Sequence, residues 1–262
     1  MKHLTAVFGL SLLASCSEPS ATARDDELVI FAAASLREVF TSLGNDFERA
    51  HPGLEITFNF AGTQELRAQL EHGAVVDVFA SADQRHMGEL VRASRVASSV
   101  VFARNEPVVV VARESATTVR TFADLPAVTR IVMGTPEVPI GRYTLEILDR
   151  AAATSLGADF RSRVEAKVVS RELNVRQVLT KVSLGEADAG FVYRTDAIAA
   201  QDRVSIVTIP TDINLIAEYP IAIVSEALHR ELAQAWIDFV LSPSGQRALR
   251  NAGFIAAGGT TP

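Results

Sequence analysis

The chain has 262 residues, 48% of them hydrophobic and 21% charged, with a formal net charge of −6. That length suits one or two domains, and the composition excludes general disorder. The acidic balance argues against a nucleic-acid partner, which needs a basic stripe, and it offers an anion no long-range attraction.

Lys2 and His3 precede a short apolar run, Leu4–Leu13. About 20 apolar residues are needed to span a bilayer, so residues 1–15 read as a signal peptide and not as a transmembrane helix. The segment ends Leu13-Ala14-Ser15-Cys16, which resembles a bacterial lipobox. That resemblance implies cleavage before Cys16 and a lipid on its side chain. Cys16 is the single cysteine, so the mature fold is expected to hold neither a disulfide nor a cysteine metal site. Ser17–Asp26 lacks apolar periodicity, and residues 16–25 are expected to form a flexible tether.

The run Leu28–Ala34 predicts a strand. Leu36, Val39, Phe40, Leu43 and Phe47 then share one helical face. Ser35 stands at the junction, and Glu38 follows at capping-box spacing. Ser35 therefore caps its helix, or presents its hydroxyl to an anion at the helix start, or does both. Further along, strands are expected at Leu54–Phe60, Val75–Ala80 and Pro107–Ala112, with helices at Thr63–His72 and Ser81–Val91. The valine-rich Pro107–Ala112 reads as a strand buried on both faces. Strands at Ile131–Gly134, Val168–Ser170 and Ala189–Tyr193 alternate with a helix at Tyr143–Ala152 and one marked by Val175, Val178, Leu179 and Val182 that ends at Gly185. Strands at Ile206–Ile209 and Ile221–Val224 and a helix at Leu228–Val240 complete the chain. This βαβα rhythm predicts an α/β protein with largely parallel sheets.

In open α/β sheets, ligands sit beside helix N-termini at the carboxyl ends of strands. Three junctions carry suitable donors: Ala34-Ser35, Gly62-Thr63 and Asn174-Val175. At the last, an Asn174 cap would leave the Val175 N–H as a helix-start donor. A fourth segment, Glu137–Tyr143, leads into a helix and offers the Ile140 N–H. Tyr193 ends a strand with a phenol. Each has a plain structural reading as cap, turn or core residue. Arg37, Arg142 and Arg176 lie near these junctions and are expected to be solvated or paired with acids such as Glu38. Asp77 and Asp83 flank Ser81 and read as capping and ion-pairing residues.

Enzyme chemistry finds little support. His51, His72 and His86 fall in no metal or triad motif, and no phosphate-binding glycine loop is present. A hydrolase built on Ser35 would lack both a base and a G-x-S-x-G elbow.

Phe31-Ala-Ala-Ala-Ser-Leu, Phe60-Ala-Gly-Thr-Gln-Glu-Leu and Asp77-Val-Phe-Ala-Ser-Ala-Asp-Gln resemble the periplasmic molybdate-binding proteins of ABC transporters. So do Val138-Pro-Ile-Gly-Arg-Tyr and the stretch from Gly185 to Ala197. The resemblance runs from about Leu28 to Phe254. It implies a two-lobed periplasmic-binding-protein fold of type II, with a tetrahedral oxyanion held in the cleft by neutral donors and no catalysis. Residues 26–106 and 215–262 would form lobe 1, and residues 107–214 lobe 2. The resemblance assigns the anion to Ser35 and Thr63 from one lobe, and to Ile140, Val175 and Tyr193 from the other. Ile140 and Val175 would act through backbone N–H. Thr63 stands where serine is usual, and Ile140 where a small residue is usual. The implied ligand is molybdate or tungstate, with sulfate or phosphate as the alternative. No cofactor is implied. The implied partners are an ABC permease and, through Cys16, a membrane, with the chain itself a monomer.

Overall fold

The computed structural model describes residues 27–257. The signal peptide, Cys16 and the tether read above lie outside them. In chain order the elements are β1 (Glu27–Ala33), α1 (Arg37–Ala50), β2 (Glu55–Ala61), α2 (Thr63–Glu71), β3 (Val78–Ala80), α3 (Gln84–Arg92) and β4 (Val100–Asn105). There follow β5 (Pro107–Ala112), β6 (Ile131–Gly134), α4 (Pro139–Ala152), α5 (Phe160–Glu165), β7 (Val168–Glu172), α6 (Val175–Ser183), β8 (Ala189–Tyr193) and α7 (Arg194–Ala199). The last are β9 (Val204–Thr208), β10 (Ala217–Ile223), α8 (Arg230–Leu241), α9 (Pro243–Asn251) and β11 (Ile255–Ala256).

Two sheets result. One has the order β11-β4-β10-β3-β1-β2 and the other β7-β6-β8-β5-β9. Each is flanked by helices, so the two-lobed α/β expectation holds. The sheets are mixed, however, where mostly parallel ones were expected. β1 runs parallel to β2 and β3, and β6 parallel to β7 and β8. β4, β5, β9, β10 and β11 pair antiparallel. The reason is the crossing between sheets. Only Glu106 separates β4 from β5, so the chain leaves one sheet and enters the other without a crossover helix. β10 makes the return and pairs with β4, with Ala217 opposite Asn105.

The cores follow the apolar patterns. Val39, Phe40, Leu43 and Phe47 of α1 are buried as one face. Phe40 and Phe47 each meet Trp236 of α8 edge-on, at 5.5 Å between ring centroids. β5 is buried at all six positions, as its valine run predicts. β3 starts three residues later than expected and ends at Ala80 as expected, whereas α3 starts at Gln84 and not at Ser81. Ser81 Oγ accepts from the Asp83 N–H and donates to the Asp83 carbonyl, a local turn that delays the helix. Asp83 then caps α3 through the His86 N–H at 3.0 Å. Asp77 accepts the Val29 and His229 N–H groups. Both acids therefore serve the structural roles expected of them.

Candidate functional site

The carboxyl ends of β1 and β2 face helix starts from the second sheet. Between them lies a small cavity, about 10 Å³, close to the least that holds one water-sized group. Ser35, Thr63, Ile140, Val175 and Tyr193 all line it, together with alanines, Gly62, Val138, Pro139 and Asn174. Five residues separated by up to 158 positions in sequence are thus brought to one point, and no lysine, arginine or acid among the described residues lines it.

Local structure explains what each one offers. Ser35 is 4% exposed and sits in a 3-10 turn, Ala34–Leu36, that precedes α1. The expected Ser35–Glu38 capping box does not form, because this turn takes up the helix start and Ser35 makes no capping bond. Its Oγ lies 2.8 Å from the Tyr219 hydroxyl on β10. Glu38 instead pairs with Arg176 of the other lobe. Thr63 opens α2, and its Oγ1 accepts the Ala82 N–H at 3.2 Å. Pro139 is the first residue of α4 and has no N–H, so Ile140 supplies the first donor of that helix. The Ile140 side chain packs over β6, where its Cγ2 is 3.2 Å from the place a Cβ on Gly134 would take. At α6 the Asn174 cap takes the N–H groups of Arg176 and Gln177, both at 3.1 Å, and leaves that of Val175. The Asn174 cap is as expected.

Tyr193 carries the sharpest signal. It is 1% exposed, and its hydroxyl has no hydrogen-bond partner among the described residues. Burial, with Tyr219 nearby, pushes its phenol well above the ordinary tyrosine value, so it remains a neutral donor. The arginines behave as expected. Arg176 pairs with Glu38 and the buried Asp196, and Arg142 lies 3.4 Å from buried Asp83. Arg37 stacks on Phe60 at 4.8 Å. Arg142 and Arg176 are thus compensated by acids, and the cavity itself presents dipoles.

Three contributors were not singled out from the sequence. Tyr219 and Asn105 stand behind Ser35, and nothing local marks them. Asp196 does carry a local mark: it sits three residues after Tyr193 and accepts that residue's N–H at 3.3 Å. Gly62 was expected to allow a close backbone approach. The approach is to the other lobe, since a Cβ there would fall 2.4 Å from the Leu173 carbonyl.

Two lobes closing on a small, uncharged, donor-lined cavity define a solute-binding protein for a compact anion-sized ligand. The chain belongs to the bacterial extracellular solute-binding protein family, matched over residues 28–255. A relative in Mycobacterium bovis, the molybdate-binding protein ModA, is 37% identical over 230 residues, covering 87% of this chain and 84% of that one. Among solved structures, the periplasmic molybdate-binding protein of Azotobacter vinelandii superposes with a TM-score of 0.76 at 19% identity, covering 87% of this chain and 98% of that one. The sulfate-binding protein SubI of Mycobacterium tuberculosis gives the same TM-score at 20% identity, covering 87% and 86%. The fold is common to receptors for different oxyanions, so the fold alone does not choose among them.

Proposed function

We propose that this chain is the extracytoplasmic receptor of an ABC importer and captures molybdate, and tungstate with it, between its lobes. The observation that carries the reading is the buried, unpartnered Tyr193 hydroxyl in a cavity also lined by Ser35, Thr63, Ile140 and Val175. A dianion gives up strong hydration on entry and needs many donors in return. Hydrogen bonds to charged groups contribute about 1.5–3 kcal/mol each, so five directed donors can offset that loss. Neutral donors also permit release to a permease. The 37% identity to a molybdate-binding protein supports molybdate over sulfate. The lobes would be residues 26–106 with 215–262, and residues 107–214, hinged where β4 passes into β5. Cys16 would carry the lipid that holds a monomeric receptor at the membrane. Among the described residues no general base accompanies Ser35, whose partner is the Tyr219 hydroxyl, and this supports binding without turnover.

Calorimetric titration of the mature protein with molybdate, tungstate, sulfate and phosphate tests this. Molybdate and tungstate are expected to bind most tightly. Tighter binding of sulfate than of molybdate would reject the assignment.

A further inference from the structure

Behind Ser35 the hydrogen bonds form a chain. The Glu106 N–H donates to Asn105 Oδ1 at 3.0 Å, which turns the Asn105 amide so that Nδ2 faces the other way. That Nδ2 donates to Thr195 Oγ1 at 2.9 Å and, over 3.5 Å, to the Tyr219 hydroxyl oxygen. The Ser35–Tyr219 bond, 2.8 Å long, can run either way, and the Asn105 donor behind Tyr219 favours the arrangement in which Tyr219 gives its proton to Ser35 Oγ. Ser35 Oγ is then an acceptor toward Tyr219, and its proton is left for the cavity it lines. We propose that Tyr219 is a positioning residue, held by Asn105, that fixes the Ser35 hydroxyl as a donor to the bound anion. The proposal rests on the cavity being the oxyanion site.

Three facts strengthen it. Tyr219 and Asn105 are both fully buried, so water does not compete for these bonds. Burial holds the Tyr219 phenol well above its ordinary value, so the relay keeps its proton. Thr63 is treated alike, because its oxygen accepts the Ala82 N–H and its own proton is left over. The consequence concerns selectivity. A fully deprotonated oxyanion accepts from every side, whereas hydrogen phosphate brings a proton that needs an acceptor. With Ser35 locked as a donor, that proton finds none at this position. Asn105 ends β4 and Tyr219 lies on β10, so the two crossing strands set the polarity of the clamp.

The test compares Tyr219→Phe, Asn105→Ala, Ser35→Ala and the two double variants with Ser35→Ala, each titrated with molybdate and with inorganic phosphate. Tyr219→Phe is expected to weaken molybdate about tenfold, the worth of about one hydrogen bond, and Asn105→Ala less. Both are expected to lower the molybdate-over-phosphate ratio, because a freed Ser35 hydroxyl can turn to accept. Both losses are expected to vanish in the Ser35→Ala background. Losses of equal size in that background, or an unchanged ratio in both single variants, would overturn the proposal. Should Tyr219→Phe fail to fold, judged by melting and circular dichroism, Asn105→Ala carries the same comparison. Molybdate binding to Ser35→Ala at parental strength would instead overturn the site reading itself, and this is told apart by the single variant alone.

Discussion

Tyr193 shows why one hydroxyl can matter to binding and yet burden the fold. A buried donor without a partner costs about 1–3 kcal/mol, and that cost is recovered only when an acceptor arrives. Tyr193→Phe is therefore expected to leave the ligand-free melting temperature unchanged or raised, while molybdate affinity falls roughly ten- to 150-fold. A melting curve and a titration on the same variant check both halves. Asp196, beneath Tyr193, makes a pH prediction. Burial raises its carboxyl from 3.8 to about 7, against the pull of the Arg176 guanidinium. The folded chain thus holds a proton that the unfolded chain has released, and stability from this group is full below 3.8 and lost as pH rises to about 7. Asp196→Asn keeps an oxygen for the Tyr193 N–H but has no proton to lose. Chemical denaturation at a series of pH values is expected to show less decline in stability across that window for the variant than for the parent.

At the level of elements, Ser35, Thr63, Ile140 and Val175 stand at helix starts, and a close contact fixes one of those starts. Gly141 makes that contact. A Cβ there would fall 2.0 Å from the Thr135 carbonyl oxygen, which is backbone and has nowhere to go. This contact seats the first turn of α4 against the end of β6 and thereby aims the Ile140 N–H. Gly141→Ala is expected to destabilise the fold by about 1–3 kcal/mol through overpacking, seen as a lower melting temperature, and to weaken molybdate binding as well. Signals of this kind are local, which is why so much was legible in the chain. The valine run of β5, the face of α1 and the Asn174 cap are all spelled out by neighbouring residues. What was missed has a different cause. α5, α7 and α9 are short, with six to nine residues, and carry little periodicity. The antiparallel crossing strands depend on pairing across long separations. Tyr219 touches Ser35 across 184 residues, and no local pattern encodes that. The 3-10 turn at Ala34–Leu36 displaced a capping box whose residues are all present, because Tyr219 and Arg176 engage Ser35 and Glu38 instead.

For the molecule as a whole, the proposed site couples binding to closure, because its donors come from both lobes. The lobes also touch directly at the rim. Gln64 Nε2 donates to the Leu173 carbonyl at 2.6 Å, and His86 Nε2 lies 2.9 Å from the Glu137 carbonyl. The Arg142–Asp83 and Arg176–Glu38 pairs join the same two bodies. A ligand that contacts both lobes favours the shut state by its differential affinity, and anything that obstructs shutting lowers that affinity. Gly62 allows this to be tested without touching a donor. Its backbone, with φ −61° and ψ 137°, suits any residue, and within its own lobe the added Cβ meets only the side-chain amide of Gln64, at 2.5 Å, a flexible end that can move aside. In the shut molecule, however, the added Cβ would press to within 2.4 Å of the Leu173 carbonyl across the cleft. Gly62→Ala is thus a wedge that acts chiefly on closure, through the Leu173 backbone and through the Gln64 amide that bonds to it. It is expected to melt like the parent without ligand, to bind molybdate about five- to 150-fold more weakly, and to release it faster, since overpacking of this kind costs about 1–3 kcal/mol. In small-angle scattering at saturating molybdate, its radius of gyration is expected to exceed that of the parent. A parental radius together with parental affinity would mean that the two lobes do not meet at Gly62 when the anion is held.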